Sequence, residues 1–344
     1  MAAMVHQRRS ALFVRIWDIF PAAAILVPRE FAHWPMKRDR STYFFDSFTR
    51  SQWARFGAGT YRLSVDALSS LKGINEPMLV SEVDEVIGPL CRLIDLRIGE
   101  KTTYPFVIAV SGSVAVGKST FSRVLRAVLA QASRTVELVA TDGFLLPTAI
   151  LEQRDLMRRK GFPESYDLES MLAFLANLKA GKPVLQVPVY SHELYDIVPE
   201  QFQTIILPQV LIFEGLNVLQ GSRDNAVVAA DYFDFSIYLD ADQNDIEQWY
   251  VDRFSVLQKT VFQRPTSYFH HYKALRPSEV QKTGRQIWRT INLPNLLQNI
   301  QPTRERASVI LRKDRSHAVE EVLWRQAWSI DSLGYKLRAR ERTP

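Results

Sequence analysis

A doubly wound, mostly parallel α/β sheet with added helices is the fold this sequence predicts, on three observations. Five short apolar runs recur: FVIAV (106–110), VELVAT (136–141), QVLIF (209–213), FSIYLD (235–240) and ASVILR (307–312). Runs of this kind read as strands buried on both faces, as parallel sheets require. Helical patterns at 120–132, 168–179, 244–257 and 277–298 separate most of them, the alternation that builds such a sheet. The first run leads through glycine-rich sequence into a helix. Ligands in this fold bind at the carboxyl ends of the strands, so the chemistry is expected just after each run.

The glycine-rich segment Gly112-Ser113-Val114-Ala115-Val116-Gly117-Lys118-Ser119 matches G-x-x-x-x-G-K-[ST] in full. Gly112 and Gly117 permit backbone angles and a close approach that a Cβ would forbid. The loop amides then form an anion nest at a helix N-terminus. Lys118 would reach the β and γ phosphates, and the Ser119 hydroxyl would meet Mg²⁺. The fold is therefore of the P-loop NTPase type, with phosphoryl transfer to a small molecule as the expected chemistry.

Asp142, in Thr141-Asp142-Gly143 after the second run, is placed to take a proton from an incoming hydroxyl or to help hold Mg²⁺. Asp-Gly is also a common turn pair, so a capping role is its alternative. Glu214 closes the third run as an acid that would hold the metal's water shell. The stretch Pro188–Asp196, PVYSHELYD, is a loop dense in hydrogen-bonding aromatics, of the kind that fix small polar ligands. Arg253 reads equally as a phosphate clamp or as an exposed helix arginine.

Composition sets limits. Of 344 residues, 47% are hydrophobic and 23% charged, ordinary for a soluble globular chain. The net charge of +6 concentrates at the ends: +5 in residues 1–60 and +2 in 321–344. A basic face on the folded body is therefore not indicated, and no nucleic-acid partner is expected. Arg15, Asp18 and Pro21 interrupt the apolar stretch 11–27, so neither a membrane span nor a signal peptide is expected. Cys91 is the single cysteine, which fits a reducing, cytoplasmic setting. His270 and His271 are adjacent and diverge, no zinc spacing occurs, and Mg²⁺ with the nucleotide is the metal expected. No N-K-x-D guanine motif is present, against a GTPase switch. A nucleotide-binding pseudo-enzyme is the other alternative, against which Lys118, Asp142 and Glu214 stand intact.

The domains expected are a disordered extension over 1–40, with Met36 a candidate start; one kinase domain over 41–322; and a tail over 323–344. Within the domain, 41–104 reads as a helical N-terminal part and 105–322 as the α/β core.

At this point the sequence resembles a family, the bacterial type I pantothenate kinases. The segments that carry the resemblance are LKGINE (71–76), SGSVAVGKST (111–120), TDGFL (141–145), RRKGFPESYD (158–167), PVYSHELYD (188–196), EGLNVL (214–219), SYFHHY (267–272) and PTRERASVIL (302–311). Uridine kinase and phosphoribulokinase are similar around the loop but lack GFPESYD and VYSH. The resemblance implies ATP-dependent phosphorylation of pantothenate at its primary hydroxyl, the committed step toward coenzyme A. It also implies feedback inhibition by coenzyme A and a homodimer. By the same resemblance Asp142 is the base, and Thr120 and Arg123 join the ATP contacts. Tyr190, His192, Tyr195, Tyr250, Tyr268 and Asn292 form the pantothenate pocket, Arg253 is the transition-state clamp, and Asn75 and His317 meet the nucleotide base. Leu257 departs from the aromatic residue usual near the pantetheine end of the inhibitor, and Leu146 and Thr148 alter the segment after Asp142.

Overall fold

The computed structural model describes residues 44–57, 59–74, 76–100, 105–132, 134–221 and 226–326. The expected extension and Asn75 lie outside these residues. Strand β1 (Phe45–Thr49) leads into α1 (Arg50–Ala54), α2 (Val65–Leu71) and α3 (Val80–Glu82). A π-helical turn over Val83–Ile87 continues α3 into α4 (Gly88–Glu100). The core then runs β2 (Phe106–Gly112), α5 (Lys118–Leu129), β3 (Val136–Ala140), α6 (Thr148–Gln153), α7 (Leu168–Lys179), β4 (Val184–Ser191), β5 (Asp196–Ile206) and β6 (Val210–Glu214). It ends with β7 (Phe235–Ala241), α8 (Gln243–Lys259), α9 (Pro277–Ile287), α10 (Leu293–Asn295), β8 (Val309–Lys313) and β9 (Val319–Arg325).

Among the described residues a seven-stranded sheet has the order β1-β9-β8-β7-β2-β6-β3. The five strands read from the apolar runs are its parallel part, and β9 and β1 extend it antiparallel. Every residue of β2 and of β6 is buried, which explains why both runs are continuous rather than alternating. Parallel register sets Val110 and Ala140 level with Glu214, and Gly112 level with Leu239. The carboxyl ends of β2, β3, β6, β7 and β8 therefore share one edge of the sheet. Side-chain caps fix where two flanking helices start: Asp167 accepts from the Ser170 amide at 3.0 Å, and Asp242 from that of Asn244 at 2.8 Å.

Three sequence readings are revised. The part before residue 105 is not helical throughout, because β1 pairs with β9, and Trp53 of α1 packs on Trp324 with ring centroids 5.7 Å apart. The chain does not turn to tail at 323: β9 reaches Arg325, its Leu323 pairing with Ile310 and its Trp324 wholly buried. Pro188–Asp196 is not a loop but the end of β4, a tight turn and the start of β5, antiparallel with Tyr190 opposite Ile197. The long 277–298 helical pattern holds, but it widens to π turns at Trp288–Asn292 and Leu296–Ile300 around Pro294, which lacks the N–H an α-helix needs.

Candidate active site

The loop between β2 and α5 is built for an anion. Gly112 has φ 145°, and a Cβ there would sit 2.6 Å from the Leu239 carbonyl oxygen. Gly117, at φ 95°, is the left-handed residue that starts α5, and Ala115 adds a third positive φ at 64°. Lys118 Nζ donates to the Ser113 carbonyl at 2.8 Å, folding the side chain back across the loop. Burial lowers its pKa to about 8, against the pull of Glu214, Asp142 and Glu76. Such a cation is held ready for phosphate oxygens.

Glu214, only 7% exposed, stands at the end of β6 beside this loop. Burial raises its pKa, while the Ser122 hydroxyl, Lys118 and the Ser119 hydroxyl pull it back. Its Oε2 nonetheless has no well-formed hydrogen bond within the protein. A buried acid oxygen without a partner, next to the Ser119 hydroxyl, fits the sparse donor set that Mg²⁺ takes when phosphates supply the rest. No group of three or more His, Cys, Asp or Glu suited to a metal occurs among the described residues.

Asp142 lies in the 3₁₀ turn Thr141–Phe144 that follows β3. It remains reachable, with about a third of its side chain exposed, and its Oδ2 is 3.7 Å from His192 Nε2. His192 rests edge-on against Tyr190, whose ring packs in turn near Tyr195. Tyr195 packs at a tilt on Tyr268 at 5.1 Å and meets Phe269 edge-on at 4.8 Å. On the α8 side, burial pushes the pKa of the Tyr250 phenol up to about 12, against the pull of the nearby Asn292 side chain. The phenols of Tyr190 and Tyr195 are also pushed up by burial, so all three act as neutral donors.

A second group gathers where the segment after α2 crosses the start of α5. Thr120 Oγ1 accepts from the Gly73 amide at 2.8 Å and bonds Glu76. Arg123 donates to the Leu71 carbonyl at 2.7 Å and to Thr120 Oγ1 at 3.1 Å. The hydroxyl of Thr120 and the guanidinium of Arg123 are thus committed to the 71–76 segment rather than to the loop. Arg253 Nη1 is 3.6 Å from Glu76 Oε1, and its charge is felt at Lys118. His317 is buried and stacks flat on Trp249, centroids 3.9 Å apart at 23°.

Sequence reasoning missed two buried lysines. Lys160 is 8% exposed, places Nζ 4.3 Å from the centre of the Tyr195 ring, and donates to the Tyr195 carbonyl and to Thr148 Oγ1. Lys313, 7% exposed, ends β8 and donates to the Val116 carbonyl of the phosphate loop at 3.1 Å. Lys160 lies inside the segment RRKGFPESYD, where its neighbours could have drawn attention to it; nothing in the sequence marks Lys313 beyond its place after a buried run.

Residues 107–253 match the model of the phosphoribulokinase/uridine kinase family. Among curated relatives, the pantothenate kinase of Shouchella clausii is 46% identical over 309 residues, covering 83% of this chain and 98% of its own. That of Vibrio vulnificus is 47% identical over 305 residues, covering 82% and 99%, and that of Escherichia coli 44% over 302 residues, covering 81% and 96%. Among solved structures, a proposed fructose transport system kinase from a Silicibacter species is 25% identical with a TM-score of 0.50, covering 61% of this chain and 91% of its own. A phosphate-binding loop that carries the half-buried Lys118 and is braced by the buried Lys313, an acid at the end of β6 and relatives matched almost end to end leave one assignment: the chain belongs to the pantothenate kinase family.

Proposed function

We propose that this protein transfers the γ-phosphoryl group of ATP to the primary hydroxyl of pantothenate, the first step toward coenzyme A. One juxtaposition supports this above all: Asp142 stands between the half-buried Lys118 and the aromatic cage, with His192 3.7 Å away on the cage side. An acceptor held by Tyr190, His192, Tyr195, Tyr250, Tyr268 and Asn292 would present its hydroxyl to Asp142. Asp142 would orient that hydroxyl and accept its proton. Lys118 and the loop amides would hold the triphosphate. Arg253, exchanging Glu76 for a phosphate oxygen, would meet the charge that develops on the transferred group. Ser119 and Glu214, together with the phosphate oxygens, would hold Mg²⁺, which would supply further charge neutralisation. His317 on Trp249 offers a flat, neutral face for the nucleotide base.

The finer proposals follow the family resemblance: feedback inhibition by coenzyme A, a homodimer and a cytoplasmic setting. Leu257 packs against the small cluster of Phe254, Phe262 and Val280 beneath the α8–α9 connection, where an inhibitor's pantetheine end would pass. Mass analysis of pantothenate incubated with Mg-ATP and the protein tests the reaction. Conversion to a monophosphorylated product is expected; recovery of unchanged pantothenate from protein that binds ATP would refute it.

A further inference from the structure

The acceptor cage has two walls from distant parts of the chain. One is the β4–β5 turn with His192 and Tyr195; the other is the α8–α9 connection with Tyr268 and Phe269. The turn is not locally relaxed, since Tyr195 has φ 57°, a left-handed angle that costs a non-glycine residue about 1 kcal/mol or more. Such a backbone persists only where its surroundings tie it down. Lys160 ties it from below, through the Tyr195 carbonyl.

From the opposite side one residue makes three ties. The Glu193 carboxylate accepts from Arg264 Nη1 at 2.7 Å and from the Thr266 hydroxyl, and the Glu193 carbonyl accepts from the Tyr268 amide at 2.9 Å. Ring contacts from Tyr195 to Tyr268 and Phe269 lie immediately behind this seam. The carboxylate touches none of the groups placed around the reacting hydroxyl, so it acts on the cage only through the residues it joins.

We propose that Glu193 is a positioning residue that pins the two walls of the acceptor cage together, setting affinity for the acceptor and not for the nucleotide. This rests on the reading of the cage as the acceptor pocket. Loosening the seam lets Tyr195 and Tyr268 drift apart before the acceptor binds, and the acceptor must then restore their alignment. The pair is partly exposed, so its effect is bounded at about fivefold in an equilibrium.

The test compares Glu193→Ala, Arg264→Ala, the double variant and the charge swap Glu193→Arg with Arg264→Glu, in the full chain. Two quantities are read: KM for pantothenate beside KM for ATP, and hydrogen exchange of the Tyr268 amide in protein without ligands. Each alanine variant should raise the pantothenate KM up to about fivefold with the ATP KM unchanged, and should speed Tyr268 exchange. The double variant should cost less than the two effects multiplied, because both remove one pair. The swap should recover part of the loss. Unchanged exchange in both alanine variants, or an equal rise in both KM values, would overturn the proposal. If the wild type turned over no pantothenate, the proposed function would fail, and the exchange measurement would still decide whether Glu193 holds the seam.

Discussion

Lys313 Nζ donates to the Val116 carbonyl at 3.1 Å, so the end of β8 braces the phosphate loop from behind. The lysine is buried, its pKa is lowered by that burial, and the charges of Glu82, Glu76 and Asp314 offset the cost. Glu82 is itself 3% exposed, and Lys313 is the larger of the two cationic charges that reach it, ahead of Arg50, so removing Lys313 leaves a buried acid poorly compensated. Lys313→Met should lower unfolding stability by about 3 kcal/mol and raise the ATP KM, the pantothenate KM changing little. Urea denaturation and steady-state kinetics check both. A variant as stable as wild type with an unchanged ATP KM would remove the bracing role.

Lys118 gives ATP binding a pH signature. With its pKa at about 8, the lysine of the free protein loses charge as pH rises through that value, and bound phosphate restores the proton. ATP binding should therefore take up a proton near pH 8–9 and weaken above it, approaching tenfold per pH unit. Calorimetry at pH 8.5 in two buffers of different ionisation heat reads the uptake directly. Equal heats in the two buffers would contradict it.

His317 ties stability to acid. Burial, with Lys313 adding to it, lowers the His317 pKa from 6.5 to about 4. Between those values the unfolded chain binds the proton and the folded one does not, so stability rises with pH across that window and falls as pH drops from 6.5 toward 4. His317→Gln should flatten this part of the Tm–pH curve. It should also raise the ATP KM, since the neutral stack on Trp249 is disturbed. A Tm–pH curve of unchanged slope would refute the assignment.

Leu257 bears on the feedback inhibition proposed above. An aromatic side chain there would add stacking area beside Phe254 and Phe262, which leucine lacks. Leu257→Phe should tighten inhibition by coenzyme A by roughly tenfold, about one aromatic contact's worth, with kcat for pantothenate little changed. Inhibition curves for the two proteins compare them directly.

Much of this fold is legible because parallel strands buried on both faces leave continuous apolar runs, and the phosphate loop is a contiguous motif. Strand β4 escaped because its alternating exposure and Pro188 resemble a loop in sequence, and only pairing with β5 makes it a strand. Strand β9 escaped because VEEVLWR interleaves acids on its exposed face, and because its partner β1 lies some 270 residues earlier in the chain. The acids and the glycine loop of the site follow strand ends and could be read there. Lys313 could not, since what singles it out is burial, a property of tertiary packing, and for Lys160 the segment RRKGFPESYD marks the place but not the buried side chain. Thr120 and Arg123 show the reverse: the family resemblance names them as ATP contacts, and their side chains hydrogen-bond to the 71–76 segment.

The most direct test is steady-state ADP release from Mg-ATP, with and without pantothenate, by wild type beside Asp142→Asn. The wild type should release ADP only with pantothenate, and Asp142→Asn should lose about a hundredfold to ten-thousandfold in turnover while its ATP affinity stays the same. ADP release indifferent to pantothenate, or an Asp142→Asn variant as fast as wild type, would contradict the account.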